Sequence, residues 1–427
     1  MMVRVRIVLV TVVLTVAAVA AHAQLRGHGG PVRGLAIAQD GQSAISGSFD
    51  TSVIRWSLEK NTASEVLRFH DGAVNAVVLL RDGRAASTGE DARIAIWKPG
   101  EARPVAALQG HKAPVVSLAV SPDGAMLASA SWDHTARLWP LSGGEPRVLE
   151  GHKDNVNGVA FTPDGKAVVT VGYDATLRIW PLAGGAPEIV TLPTPLNTVA
   201  IAPDGEIAAA GADGTVYFLA AGGEIRGEVE VGTVPIIAVT MSPDGKLVAA
   251  AGIRGSVAII DRATRNLDRT LVGPGLPVWS AAFFPDSRTL LTGGTDRMIR
   301  RWDAIKGEPI GNVLVGAPED LLAAYAGDPG AEVFRACVAC HTLNSHDGVR
   351  AGPTLAGIFG RTIATLPGYN FSEALKRMDI VWTPETVSKL FEIGPNSYTP
   401  GTKMPEQRIG SPEDRAALMR FLEKATK

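Results

Sequence analysis

Cysteine is nearly absent from this chain: two thiols serve 427 residues. That excludes a disulfide framework and a four-cysteine zinc site. Charge of one sign is missing as well. The formal net charge is −2, and no basic cluster interleaves with aromatics, so nothing points to nucleic acid. Polar low-complexity tracts are lacking. The apolar run from Ile7 to Ala21 has fifteen residues, short of the roughly twenty that a membrane span needs. What is present is ample material for two folded cores, with 46% hydrophobic and 20% charged residues.

The apolar run follows Arg4 and Arg6 and ends in Ala21-His22-Ala23, an A-x-A cleavage site before Gln24. Residues 1–23 therefore read as a secretory signal, which leaves no transmembrane segment after cleavage. Both cysteines fall in Cys337-Val338-Ala339-Cys340-His341. Two thiols three residues apart can each form a thioether to a haem vinyl group, and the adjacent histidine can reach the iron. A reduced cysteine pair beside a surface histidine is the other reading of these five residues. Covalent haem attachment takes place outside the inner membrane in bacteria, so signal and motif together place the protein in the periplasm of a Gram-negative cell.

The stretch around the motif decides between the two readings. Gly330-Ala331-Glu332-Val333-Phe334, the run Ala351-Gly352-Pro353-Thr354-Leu355-Ala356-Gly357-Ile358-Phe359-Gly360-Arg361, and Tyr398-Thr399-Pro400-Gly401-Thr402-Lys403-Met404-Pro405 occur in that order. Ser411-Pro412-Glu413-Asp414 opens a final helix, with an N-cap serine, proline at the first helical position and early acids. From Gly330 to its end the chain resembles a class I cytochrome c of the mitochondrial and cytochrome c2 type. The resemblance implies one covalent haem c on Cys337 and Cys340, with His341 and Met404 as axial iron ligands. It also implies that the Pro353 carbonyl orients His341, and that Arg361 and Trp382 hold the inner propionate. Met378 and Met419 sit in helical patterns as core fillers. Phe371 and Phe391 stand where the family carries two tyrosines, one of which reaches a propionate. From Pro318 onward twelve Lys and Arg face thirteen Asp and Glu, so the basic ring that steers such carriers is missing.

Ahead of that domain, self-similarity dominates. Gly110-His111, Ser121-Pro122-Asp123-Gly124, Asp133 and Leu138-Trp139 repeat as Gly151-His152, Thr162-Pro163-Asp164-Gly165, Asp174 and Ile179-Trp180. The landmarks Trp56, Trp97, Trp139, Trp180, Phe218, Ile260 and Trp302 lie about forty residues apart. Residues 24–317 resemble a WD40 propeller, which implies seven four-stranded blades. The fold class expected is thus multidomain: an all-β seven-bladed propeller over 24–317 and a small all-α cytochrome c domain over 318–427. By resemblance His28, His70, His111 and His152 bind Asp50, Asp91, Asp133 and Asp174 inside their blades. Only Gln24 to Arg26 precede the first glycine, so a long closing strand is not expected, and packing between blades one and seven is expected to close the ring.

No catalytic constellation stands out in the propeller. Phe49, Trp132 and Tyr173 precede turn aspartates near one rim, where aromatics serve either as partner anchors or as covers for their own turns. Three functions compete. The first is a carrier of single electrons whose propeller docks a protein redox partner: a dehydrogenase, an oxidase or a membrane complex. The second is a propeller–cytochrome oxidoreductase similar to the nitrite reductase that pairs such domains. The third is a haem-based redox or ligand sensor. The carrier needs the fewest additional parts.

Overall fold

The computed structural model describes residues 24–273, 276–311, 322–335, 337–338, 341–345, 352–367, 369, 371, 373–400, 402, 404 and 408–427. Residues 1–23 (which read as a secretory signal), Cys340 and the boundary between residues 317 and 318 lie outside the described residues.

Strands in the N-terminal part are short and end at tight turns. In the third blade, Val115–Val120, Met126–Ser131, Thr135–Pro140 and Arg147–Glu150 form one antiparallel sheet in chain order. Its first hairpin turns at Pro122-Asp123-Gly124, where Gly124 takes φ 75° and its N–H donates to the Ser121 carbonyl. The second strand of each blade is buried on both faces between neighbours. Small residues such as Ala128, Ser129, Ala130 and Ser131 fill it, and all four are fully buried. Six such four-stranded sheets and a seventh of five strands make the ring. The seven landmarks all fall on third strands, with Trp56 and Trp97 at most 1% exposed. Phe218 and Ile260 take the tryptophan's place in the core shared by blades five and six.

Ring closure corrects the sequence expectation. Gln24–Arg26 is a strand after all, paired antiparallel with Met298–Asp303 through Gln24 and Arg300, Leu25 and Ile299, and Arg26 and Met298. Glu308–Pro309 pairs with Asp303 and Trp302 farther along the same edge. The outermost position of blade seven is therefore shared by the two ends of the propeller segment. Three residues suffice because Leu25, 1% exposed, anchors them among Ile299, Leu291 and Trp56. Packing between blades one and seven adds to this, with the Arg301 guanidinium donating to the Leu58 carbonyl at 2.6 Å.

The C-terminal domain carries five helices among the described residues: α1 (Pro329–Phe334), α2 (Glu373–Lys376), α3 (Pro384–Ile393), α4 (Pro395–Tyr398) and α5 (Pro412–Ala425). Asp328-Pro329-Gly330 opens α1 rather than merely preceding it: the Asp328 carboxylate accepts from the Gly330 and Ala331 N–H groups. α5 begins with the Ser411 hydroxyl accepting from the Asp414 N–H, as the sequence suggests. The two helices cross where α1 has glycine. A β-carbon on Gly330 would lie 2.2 Å from the Ala417 carbonyl oxygen and 2.5 Å from the Phe421 β-carbon. Phe334 and Phe421 fill the contact beside it, ring centroids 5.4 Å apart. No helix among the described residues is long and apolar enough to cross a membrane.

Candidate functional site

α1 leads directly into the attachment motif, so Cys337 is set by the helix crossing. Its backbone N–H bonds the Phe334 carbonyl, and the residue is buried. His341 follows, half-buried, with its own N–H on the Cys337 carbonyl. The imidazole Nδ1 donates to the Pro353 carbonyl oxygen at 2.8 Å. That bond holds the tautomer whose Nε2 carries the lone pair, which is the nitrogen an iron needs.

Cys337, His341, Pro353, Arg361, Trp382 and Met404 all line one cavity, walled by Leu355, Ile358, Leu390, Phe391 and Leu418. Met404 reaches it from a loop anchored by α4: the Thr399 hydroxyl bonds the Pro395 carbonyl, and the Met404 N–H donates to the Thr402 hydroxyl. Met419 is buried in the core on α5 and does not line the cavity. The Arg361 guanidinium donates to the carbonyls of Ala356 and Thr354 at 3.1 and 3.0 Å, and burial pushes its pKa down. Trp382 is half-buried, and its backbone pairs with Arg361 and Gly360. Phe371 and Phe391 line the cavity without a hydroxyl to offer, as their positions in the sequence imply.

A thiol, an oriented imidazole and a thioether converging on an apolar cavity fit haem c. Two features of this cavity were not legible in the sequence. Tyr369 lines it, its ring centre 4.6 Å from that of Phe371 and tilted 58° to it. Asp50 and Arg68 of blade one line it too, so the propeller forms part of the wall. Chain distance hides such a contribution, and no local pattern marks it.

Within the blades the histidine pairs are present. His28 Nδ1 lies 3.1 Å from Asp50, His111 Nδ1 2.8 Å from Asp133, and His70 and His152 pair likewise with Asp91 and Asp174. A link absent from the sequence reading completes each chain. Ser46, Ser87, Ser129 and Thr170 sit between the imidazole Nε2 and the tryptophan indole N–H, as in Ser46 at 2.7 Å from both His28 and Trp56. Burial pushes the Asp50 carboxyl up, but His28 and Ser52 outweigh it and hold its pKa at about 2. In blade five the Tyr217 hydroxyl donates to Asp213 instead, and burial plus that carboxylate push it up to about 12.

Among the three rim aromatics, Phe49 is 38% exposed and Tyr173 43% exposed. Phe49 lies 6.0 Å from Trp279 of blade seven, with the Arg33 guanidinium against both rings. Trp132 is half-buried and donates its indole N–H to Asn157 of the next blade at 3.0 Å. No ring contact joins the three among the described residues.

Comparison with known proteins follows the same division. Residues 73–316 match the family model described as the IFT122 first beta-propeller, residues 21–57 the WD domain, G-beta repeat, and residues 327–426 cytochrome c. The chain is 40% identical over 99 residues to cytochrome c of Cochliobolus lunatus, covering 91% of that protein and 23% of this one. It is 39% identical over 98 residues to cytochrome c of Sesamum indicum, covering 87% of that protein and 23% of this one. It is also 40% identical over 99 residues to cytochrome c of Arabidopsis thaliana, covering 88% of that protein and 23% of this one. The propeller match spans more than half of the chain and the cytochrome match covers its C-terminal hundred residues, so the chain belongs to the family of the first IFT122 β-propeller, built of WD repeats, and carries a C-terminal cytochrome c domain with one covalently bound haem c.

Proposed function

We propose that this protein is an exported, periplasmic carrier of single electrons, with His341 and Met404 as axial ligands and the propeller as the dock for a protein redox partner. The cytochrome c domain makes electron transfer its chemistry. When bound, the haem supplies a one-electron iron couple, which a thioether ligand biases toward the reduced state. The chain's own residues hold that couple in place. Pro353 orients His341, the buried Cys337 would tether the haem, and the apolar wall would exclude water from it. The observation that carries the reading is the convergence of Cys337, His341 and Met404 on one cavity.

Export is supported by the leader-like residues 1–23 and by the place where haem c is attached. The partner is a dehydrogenase, an oxidase or a membrane complex. The propeller raises the effective concentration of haem at that partner without a tight haem-domain contact, and exposed Phe49 and Tyr173 with Trp132 are its anchors.

The test is an absorption spectrum of the mature protein, expressed with its signal in a host that attaches haem c. Wild type is expected to be low-spin with the weak iron–thioether band, and Met404→Ala to lose that band. A wild type that is high-spin, or a spectrum indifferent to the substitution, would overturn the ligand assignment and the carrier with it.

A further inference from the structure

Arg68 closes the outer strand Thr62–Arg68 of blade one, opposite Ser52 at the top of the sheet. Its guanidinium does not point into solvent. It lies 4.7 Å from the centre of the Tyr369 ring in the cytochrome domain, and it lines the cavity that holds His341 and Met404. Both terminal nitrogens, Nη1 and Nη2, are buried and have no hydrogen-bond partner among the described residues.

A buried guanidinium without acceptors is costly, so native folds supply it with an anion. No carboxylate among the described residues fills that place. Asp50 lines the same cavity, but its carboxylate is engaged by His28, the Gly29 N–H and the Ser52 hydroxyl. Haem c brings two propionate carboxylates into this cavity. On the cytochrome side, Arg361 is already committed to two backbone carbonyls, and Phe371 has no hydroxyl to donate. Among the described residues, the donor fork of Arg68 lacks a carboxylate, and a propionate is one that haem c would bring.

We infer that Arg68 of the propeller binds a haem propionate, so that the first blade completes the haem site of the second domain. A planar two-nitrogen fork suits a carboxylate, and its stacking on Tyr369 fixes the approach. Two consequences follow. The propeller tunes the haem electrostatically, and haem attachment strengthens the contact between the domains. This inference rests on haem c occupying the cavity, and not on which partner the carrier serves.

The experiment uses the full-length mature holoprotein as wild type, Arg68→Gln and Arg68→Lys, with potentiometric titration from pH 5 to pH 9. Arg68→Gln is expected to keep the wild-type absorption spectrum while its midpoint potential falls, because loss of a buried positive charge disfavours the added electron. Its potential should also acquire a new downward slope with rising pH, as a propionate freed of its cation titrates within that range. Arg68→Lys should retain the higher potential, which a role in packing alone would not require. Coincident potentials and pH profiles for wild type and Arg68→Gln would overturn the inference. The wild-type spectrum keeps this result separate from the carrier reading: a high-spin wild type removes Met404 as ligand and leaves the Arg68 comparison valid.

Discussion

At the scale of single residues, a hydroxyl decides how five of the seven blades are wired. The Trp139 indole N–H donates to the Ser129 oxygen, the Ser129 hydroxyl donates to His111 Nε2, and His111 Nδ1 donates to Asp133. One donor and two acceptor sites per hydroxyl make the chain complete. The hydroxyl stands ten residues before the tryptophan in five blades, at Ser46, Ser87, Ser129, Thr170 and Thr292. The sequence shows this spacing, but serine and threonine are too common in strands to draw notice before the geometry is seen. The far end of the chain sets an acid limit. Asp50 has its pKa held at about 2, below the roughly 3.9 of an unfolded aspartate. A depressed carboxyl contributes stability above its unfolded pKa and loses it as pH falls through the folded one. Urea midpoints followed by tryptophan fluorescence should therefore drop between about pH 4 and pH 2, and Asp50→Asn should lie below wild type at pH 5 with a shallower acid limb. Parallel limbs would remove Asp50 from the account.

Elements show where short pieces of chain have large effects. The strand Gln24–Arg26 has three residues and joins the first turn of the propeller to its last blade. Its contribution comes from one side chain, since Leu25 is buried between blades one and seven. Leu25→Ala should cost about 3 kcal/mol, the usual range for a large buried aliphatic side chain cut to alanine. Urea unfolding of the propeller measures it, and a loss below about 1 kcal/mol would mean that packing alone closes the ring. The helix crossing in the second domain follows the same logic in reverse. There the absent side chain of Gly330 sets the distance between α1 and α5, and the sequence motif announces it.

For the whole molecule, charge balance matters more than any pair of residues. The cytochrome portion from Pro318 carries slightly more acids than bases, so its net charge supplies no strong positive field. Steering by charge is then weak, and rates should respond little to salt. Stopped-flow oxidation by ferricyanide is expected to change less than about threefold between 20 and 500 mM salt, the behaviour of a reaction without strong long-range attraction. A steep fall with salt would reveal a positive face that the sum of charges conceals. In the proposed carrier, docking by the propeller would supply through proximity what steering does not.

The sequence by itself determined the number of blades and the two domains, and it named the residues proposed as haem ligands. Those depend on local spacing: a period of about forty residues, two thiols beside a histidine, and a methionine in a proline-rich loop. The tertiary structure alone decided three things. It placed the two ends of the propeller segment on one shared strand edge, it chose the hydroxyl that joins each histidine to its tryptophan, and it carried Arg68 and Asp50 to the haem cavity. Each of these depends on groups remote in the chain meeting in space, where burial penalises any polar group left without a partner, and no periodicity along the chain records such a meeting.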